Sequence, residues 1–153
     1  MKSQLTTLCY IEKGEKYLML HRVSKKNDIN KDKWIGVGGH FEGEESPEEC
    51  LLREVYEESG VQASIMKYIG KSQYTFSVPE DMVSKEVHWY LMIADSYYSK
   101  PQREEYFTDS GYYKYHEAYH LIKFPNEKQI LEQAHGIYLD LKKKELWYSR
   151  PVQ

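Results

Sequence analysis

The stretch GHFEGEESPEECLLREVYEESGV, from Gly39 to Val61, decides how this chain folds. Ser46 is a hydroxyl N-cap, Pro47 suits the first helical position, and Glu49 sits three residues after Ser46 to close a capping box. Gly60 stands where a helix ends in a left-handed residue. A helix is therefore expected from Pro47 to just before Gly60. At about 100° per residue, Glu54, Glu57 and Glu58 share one face at spacing i, i+3, i+4. Leu51, Leu52 and Val55 occupy the adjoining arc and are expected to bury against a sheet.

The same stretch carries eight glutamates against one arginine, a net charge of −7. The whole chain of 153 residues is only −3, so the remainder carries +4. Like charges crowded in this way repel unless a cation joins them. Arg53 is one supplier, and a hard divalent cation that takes oxygen ligands is another. On spacing alone, three surface glutamates are usually solvated; the full string around them changes that.

Working outward, Thr6 to Glu12 and Tyr17 to Val23 read as two strands joined by Lys13-Gly14-Glu15-Lys16, a hairpin. Ser24 to Lys33 is a polar loop, and Trp34 to Gly39 is a short strand ending in glycines that allow close backbone approach. Beyond the helix, Ala63 to Gly70, Gln73 to Val78 and Glu86 to Ala94 read as strands. Asn126 to His135, after Phe124-Pro125, reads as a second helix. Leu139 to Tyr148 reads as a closing helix or strand. The tyrosine-rich run Tyr97 to Tyr115 takes no assignment. Strands around a central helix, with another helix at the end, predict an α/β (α+β) sandwich.

Composition sets outer limits. Apolar residues are 41% of the chain, enough for a core without disulfide or metal staples. Cys9 and Cys50 lie in no Cys/His cluster and read as reduced, buried thiols. The acidic balance argues against a nucleic-acid polymer as partner. No apolar run approaches the roughly 20 residues of a membrane helix, and no secretory signal is visible, so a soluble cytoplasmic protein is expected. Tyrosine is in surplus at 15 residues, suited equally to core, interface or base stacking.

Read whole, Gly39 to Val61 resembles the Nudix box, G-x5-E-x7-R-E-U-x-E-E-x-G-U with U bulky and aliphatic. Gly39, Glu45, Arg53, Glu54, Glu57, Glu58 and Gly60 match by identity, and Val55 and Val61 fill U positions. Seven identities at roughly one in twenty each make a chance match on the order of 10⁻⁹ per start. The resemblance implies one Nudix domain over residues 1–153, with its box at 39–61. It also implies a mixed β-sheet sandwiched between helices, with a loop–helix–loop catalytic motif. By that resemblance Glu54, Glu57 and Glu58 bind Mg²⁺, with Mn²⁺ as the alternative ion, and carry the catalysis. Arg53 would hold one of them by an ion pair, and the carbonyl of Gly38 or Gly39 would complete the coordination. A downstream carboxylate often joins the set, with Glu104 and Glu105 as the candidates.

The implied reaction is hydrolysis of a phosphoanhydride in a nucleoside polyphosphate. Residues 18–39 are similar to the branch that removes oxidised purine nucleoside triphosphates such as 8-oxo-dGTP, giving a monophosphate and pyrophosphate. Lys25, Lys26 and Asn27 are then candidates for contacting phosphates or base. His40 stands where the family often has lysine, so a permanent cation near the phosphates is replaced by a pH-sensitive one. The glycine commonly found just before the motif glutamate is shifted to Gly43, with Glu44 between. Lys85 to Met92 and Glu117 to Phe124 are similar instead to dinucleoside polyphosphate hydrolases. A nucleotide-binding domain without catalysis is the third reading, disfavoured by the intact box. A homodimer is left open.

Overall fold

The computed structural model describes residues 2–22, 33–95 and 107–149. The expected hairpin forms. Strand β1 (Lys2–Lys13) turns through Gly14 and Glu15, at φ of 59° and 68°, into β2 (Lys16–Arg22). Two successive positive-φ residues match the right-handed twist of the strands they join. β1 starts four residues earlier than the sequence suggested. Its whole length from Lys2 to Glu12 pairs in parallel with a distant strand, from Lys2↔Val83 to Glu12↔Ile93.

The expected strand Trp34 to Gly39 is two strands. β3 (Lys33–Ile35) pairs with β2, and β4 (Val37–His40) pairs with β1. The break is at Gly36, where a Cβ would lie 2.5 Å from the Cys9 carbonyl oxygen, so only a glycine lets the chain pass. Helix α1 (Pro47–Ser59) has the ends its sequence announced. Ser46 accepts from the Glu49 N–H at 3.1 Å, Glu49 accepts from the Ser46 N–H at 3.1 Å, and Gly60 caps the far end at φ 69°. Such an N-cap contributes about 1 kcal/mol.

Two further expectations change. The pair of strands placed at Ala63 to Gly70 and Gln73 to Val78 is one strand, β5 (Ala63–Val78). Bulges near Met66 and Ile69 absorb the irregular register, and β6 (Asp81–Ala94) offers an antiparallel partner along the whole strand. The two C-terminal elements are one helix, α3 (Pro125–Ser149), running straight through Gly136. Glycine in a helix interior costs about 1 kcal/mol against alanine. Burial of Leu131 and Ala134 before it and Tyr138 after it offsets that cost. The unassigned tyrosine-rich run ends in β7 (Phe107–Lys114), which pairs with β2 and leads into α2 (Tyr115–Leu121).

The sheet is mixed, seven strands in order β3-β2-β1-β6-β5, with β4 on β1 and β7 on β2. Alternate side chains of the central strands feed two cores. Cys9, Ile11, Leu18, Leu20, Tyr90 and Met92 pack with Leu51 and Val55 of α1. Tyr10, Tyr17, Met19, Trp89 and Leu91 pack with α2 and α3 on the other face. The expected α+β sandwich is what forms. Leu52, expected in the buried arc of α1, is 48% exposed. The buried stripe is rotated toward Glu54 and Glu58, which are 4% and 7% exposed. Among the described residues no helix is long and apolar enough to cross a membrane.

Candidate metal and catalytic site

The sheet delivers the glycine pair to the acidic helix. β4 runs antiparallel to β1 with Thr7 opposite Gly39 and Leu8 opposite Gly38. Two residues on, the Phe41 N–H donates to the Leu5 carbonyl. Backbone groups along an antiparallel strand alternate in direction, so Gly39 turns its groups toward β1 and Gly38 turns its own away. The Gly38 N–H accordingly meets the Glu58 Oε2 of α1 at 3.4 Å. A Cβ on Gly38 would fall 2.0 Å from the Thr7 carbonyl oxygen, and one on Gly39 would fall 2.4 Å from Glu54 Oε2. The glycines are required because backbone and carboxylate occupy the space of side chains.

Arg53 organises the carboxylates. Its Nε and Nη2 hold the two oxygens of Glu45 at 2.7 and 2.9 Å, a bidentate pair. Its Nη1 donates to Glu54 Oε1 at 2.7 Å and to Glu57 Oε2 at 3.0 Å, and lies 3.4 Å from Glu42. Glu45 in turn accepts from the Glu42 N–H at 2.7 Å, closing the loop before the helix onto the helix. Bonding to Glu45 first, and then to Glu54, raises the guanidinium above its ordinary range, and the arginine holds the Glu45 carboxyl below its own. Sequence reading assigned Arg53 one glutamate; it binds four. The signal was present, because Glu45 is a fixed position of the box, but its partner depends on the loop folding back.

Cys50 is the residue that sequence reading left out of the site. It is fully buried, unoxidised, and belongs to neither apolar core. Its thiol lies 3.4 Å from Thr7 Oγ1, donates to the Gly39 carbonyl at 3.6 Å, and accepts from Arg53 Nη2 at 3.9 Å. Burial pushes this thiol upward in pKa. Its one legible signal was helical spacing, four residues before Glu54.

The structure thus brings Gly38, Gly39, Arg53, Glu54, Glu57 and Glu58 together. His40 ends β4 beside them, paired with Thr6, but its side chain lies outside the described residues. Lys25, Lys26, Asn27, Glu104 and Glu105 also lie outside them. Among the described residues no three acidic, histidine or cysteine side chains already converge on one ion position. The reason is visible: Arg53 draws Glu54 and Glu57 toward itself, and Glu58 leans to the Gly38 N–H. The donors are nonetheless hard oxygens on one helix face, and Glu54 already lies in the cradle made by the missing Gly39 side chain. The set fits a hard divalent cation, which would compete with Arg53 for the carboxylates. Two concavities, of about 560 and 180 Å³, lie between Ile69 and α3 and beside the last turns of α1, away from this chemistry.

The chain is similar in sequence and in fold to known proteins. The chain is 39% identical over 59 residues to a Mycobacterium tuberculosis protein named as a mutator protein, MutT4. That match spans 39% of this chain and 24% of the relative. It is 35% identical over 69 residues to the Mus musculus diphosphoinositol polyphosphate phosphohydrolase 3-alpha, spanning 45% of this chain and 40% of that protein. The chain thus spans less than half the length of these curated relatives. In three dimensions it resembles a NUDIX hydrolase from Nitrosomonas europaea, with a TM-score of 0.68 at 20% identity, over 88% of this chain and 90% of that one. That likeness concerns the fold. The NUDIX domain model matches residues 2–134, and with the glycine–carboxylate–arginine arrangement in place the chain belongs to the NUDIX domain family.

Proposed function

We propose that this protein hydrolyses a phosphoanhydride bond in nucleoside polyphosphates with the aid of Mg²⁺, Mn²⁺ being the alternative ion. The observation that carries this reading is the packing of Glu54 and Glu58 against the Gly38–Gly39 backbone, with Arg53 tying Glu54 and Glu57 into one cluster. The family uses divalent ions, and Glu54, Glu57, Glu58 and the Gly38 carbonyl are the groups that would hold one here. Gly38 is favoured over Gly39 because the Gly39 carbonyl already accepts from Cys50. A bound divalent ion supplies charge neutralisation on the polyphosphate and an acidified water.

The residues divide the remaining work. Glu54 and Glu58 are buried and face the glycine backbone, so they suit ion binding. Glu57 has a side chain 41% exposed and is the carboxylate open to substrate and water. It takes the proton of the attacking water as the new O–P bond forms and the bridging P–O bond breaks, the leaving phosphate carrying away the electron pair. Arg53 orients the carboxylates and does not touch substrate. Oxidised purine triphosphates of the 8-oxo-dGTP type are the favoured substrates, supported by residues 18–39 and by the likeness to a mutator protein. The cytoplasmic nucleotide pool is the matching compartment.

The test is a Mg²⁺-dependent panel of 8-oxo-dGTP, diadenosine tetraphosphate and a diphosphoinositol polyphosphate, with products separated by chromatography. Pyrophosphate and 8-oxo-dGMP are expected. ATP plus AMP from the dinucleotide would transfer the assignment to dinucleoside polyphosphates, and nucleotide binding without turnover would make this a binding module. Glu57→Gln should lose roughly 10²- to 10⁴-fold in turnover, the usual contribution of a positioned proton acceptor. Unchanged turnover would overturn the site.

A further inference from the structure

Cys50 has more polar company than a buried filler needs. Three elements converge on its sulfur: β1 through Thr7 Oγ1, β4 through the Gly39 carbonyl, and α1 itself through Arg53 Nη2. Thr7 and Gly39 are cross-strand partners, so the thiol sits over the rung of the sheet that carries Gly39. The contacts form a directed chain. The Arg53 guanidinium donates to the sulfur and the thiol gives its one proton to the Gly39 carbonyl, which leaves the Thr7 hydroxyl to act as donor in the third contact. The other buried cysteine, Cys9, is a member of the apolar core under α1.

We infer that Cys50 is a positioning residue: its thiol clamps the Gly39 carbonyl to helix α1 and so sets how the Gly38 carbonyl and the Glu54 and Glu58 carboxylates meet a divalent ion. Holding the Gly39 carbonyl restricts the peptide that follows Gly38, because the two planar peptides are joined only through the φ and ψ of Gly39. Outer groups that orient metal ligands are worth 10- to 100-fold in metal affinity when removed. A thiol is a weak donor, so the expected effect here is smaller. The inference rests on the proposed ion site, and the experiment separates the two.

Mn²⁺ binding to the protein without substrate is followed by the loss of the free-ion electron paramagnetic resonance signal. Cys50→Ala is expected to raise the Mn²⁺ Kd roughly three- to tenfold, while Cys50→Ser, which keeps a donor of similar reach, returns it to near the parent value. Thr7→Val, which removes the hydroxyl on the other side of the sulfur, should move the Kd in the same direction as Cys50→Ala. If Cys50→Ala binds Mn²⁺ as the parent does while Glu58→Gln has lost binding, the clamp is wrong and the ion site stands. If Cys50→Ser is as weak as Cys50→Ala, the residue acts by packing and the clamp is overturned. If Glu58→Gln binds Mn²⁺ as tightly as the parent, the ion site itself fails.

Discussion

Gly39 shows how little room the site leaves at the level of one residue. Any Cβ there would enter the Glu54 carboxylate, which is fixed from its other side by Arg53. Gly39→Ala must push either the carboxylate or the whole of α1 outward. Overpacking of this kind costs typically 1–3 kcal/mol, so a loss of about 2 kcal/mol in urea denaturation is expected, together with weaker Mn²⁺ binding. Retention of both would show that α1 yields more easily than its packing implies. Much of this scale was legible in the chain. The spacing of Glu54, Glu57 and Glu58 follows from helical geometry, and the glycines announce a close approach. What they approach did not follow, since Glu45 and Glu42 reach Arg53 only after the loop folds back, and Cys50 meets Gly39 only across the sheet.

At the level of elements, α1 was readable because its ends are specified locally: a capping box at Ser46 and a left-handed glycine at Gly60 satisfy backbone groups within a few residues. β5 and α3 were not, because tertiary partners override Gly70 and Gly136. Helix α3 also carries a charge that suits its first turn locally but that its tertiary neighbours bury. Glu127, in its first turn, is largely buried near Tyr10, Tyr74 and Lys85, and its Oε2 has no hydrogen-bond partner among the described residues. Burial raises this carboxyl to about 7, with Lys85 opposing. The unfolded chain releases the proton near the ordinary value of 4.5, while the folded chain keeps it to about 7. The folded state therefore binds more protons across that window, and stability falls as pH rises through it. Glu127→Gln should stabilise the protein at pH 8 by on the order of 1–3 kcal/mol, at ~1.4 kcal/mol per pH unit of displacement, and change little at pH 4. Denaturant titrations at both pH values decide it; an equal effect at each would mean that the carboxyl stays charged throughout.

Across the whole molecule, charge and tyrosine turn out to be sorted by face. The −7 segment forms one helix and its leading loop, on the α1 side of the sheet. Many of the tyrosines serve the opposite core, where Tyr10 stacks on Trp89 at 5.6 Å and Tyr115 stacks on His135 at 4.1 Å. Tyr17 donates to or accepts from His135 Nδ1 at 2.8 Å, and its hydroxyl is pushed up in pKa by burial. The surplus that composition left open between core, interface and stacking is thus in large part core. A divalent ion that joins the acidic face binds only the folded chain, because β4 and α1 supply its ligands together. At a metal concentration 100 times Kd, linkage adds about 2.7 kcal/mol. Thermal melting should shift upward by several degrees with Mg²⁺ or Mn²⁺ and return with a chelator, and Glu58→Gln should remove most of the shift. A parent protein that melts alike with and without either ion would contradict the proposed site. By itself the sequence determined the acidic helix, its two ends, the face that carries three carboxylates and the family to which they belong, because helical periodicity and capping act within a few residues. The tertiary structure alone decided that Arg53 gathers four glutamates, that Gly39 and Cys50 lock β4 to α1, and that β5 and α3 run unbroken. Those outcomes depend on segments far apart in the chain meeting across the sheet, and no local preference encodes such meetings.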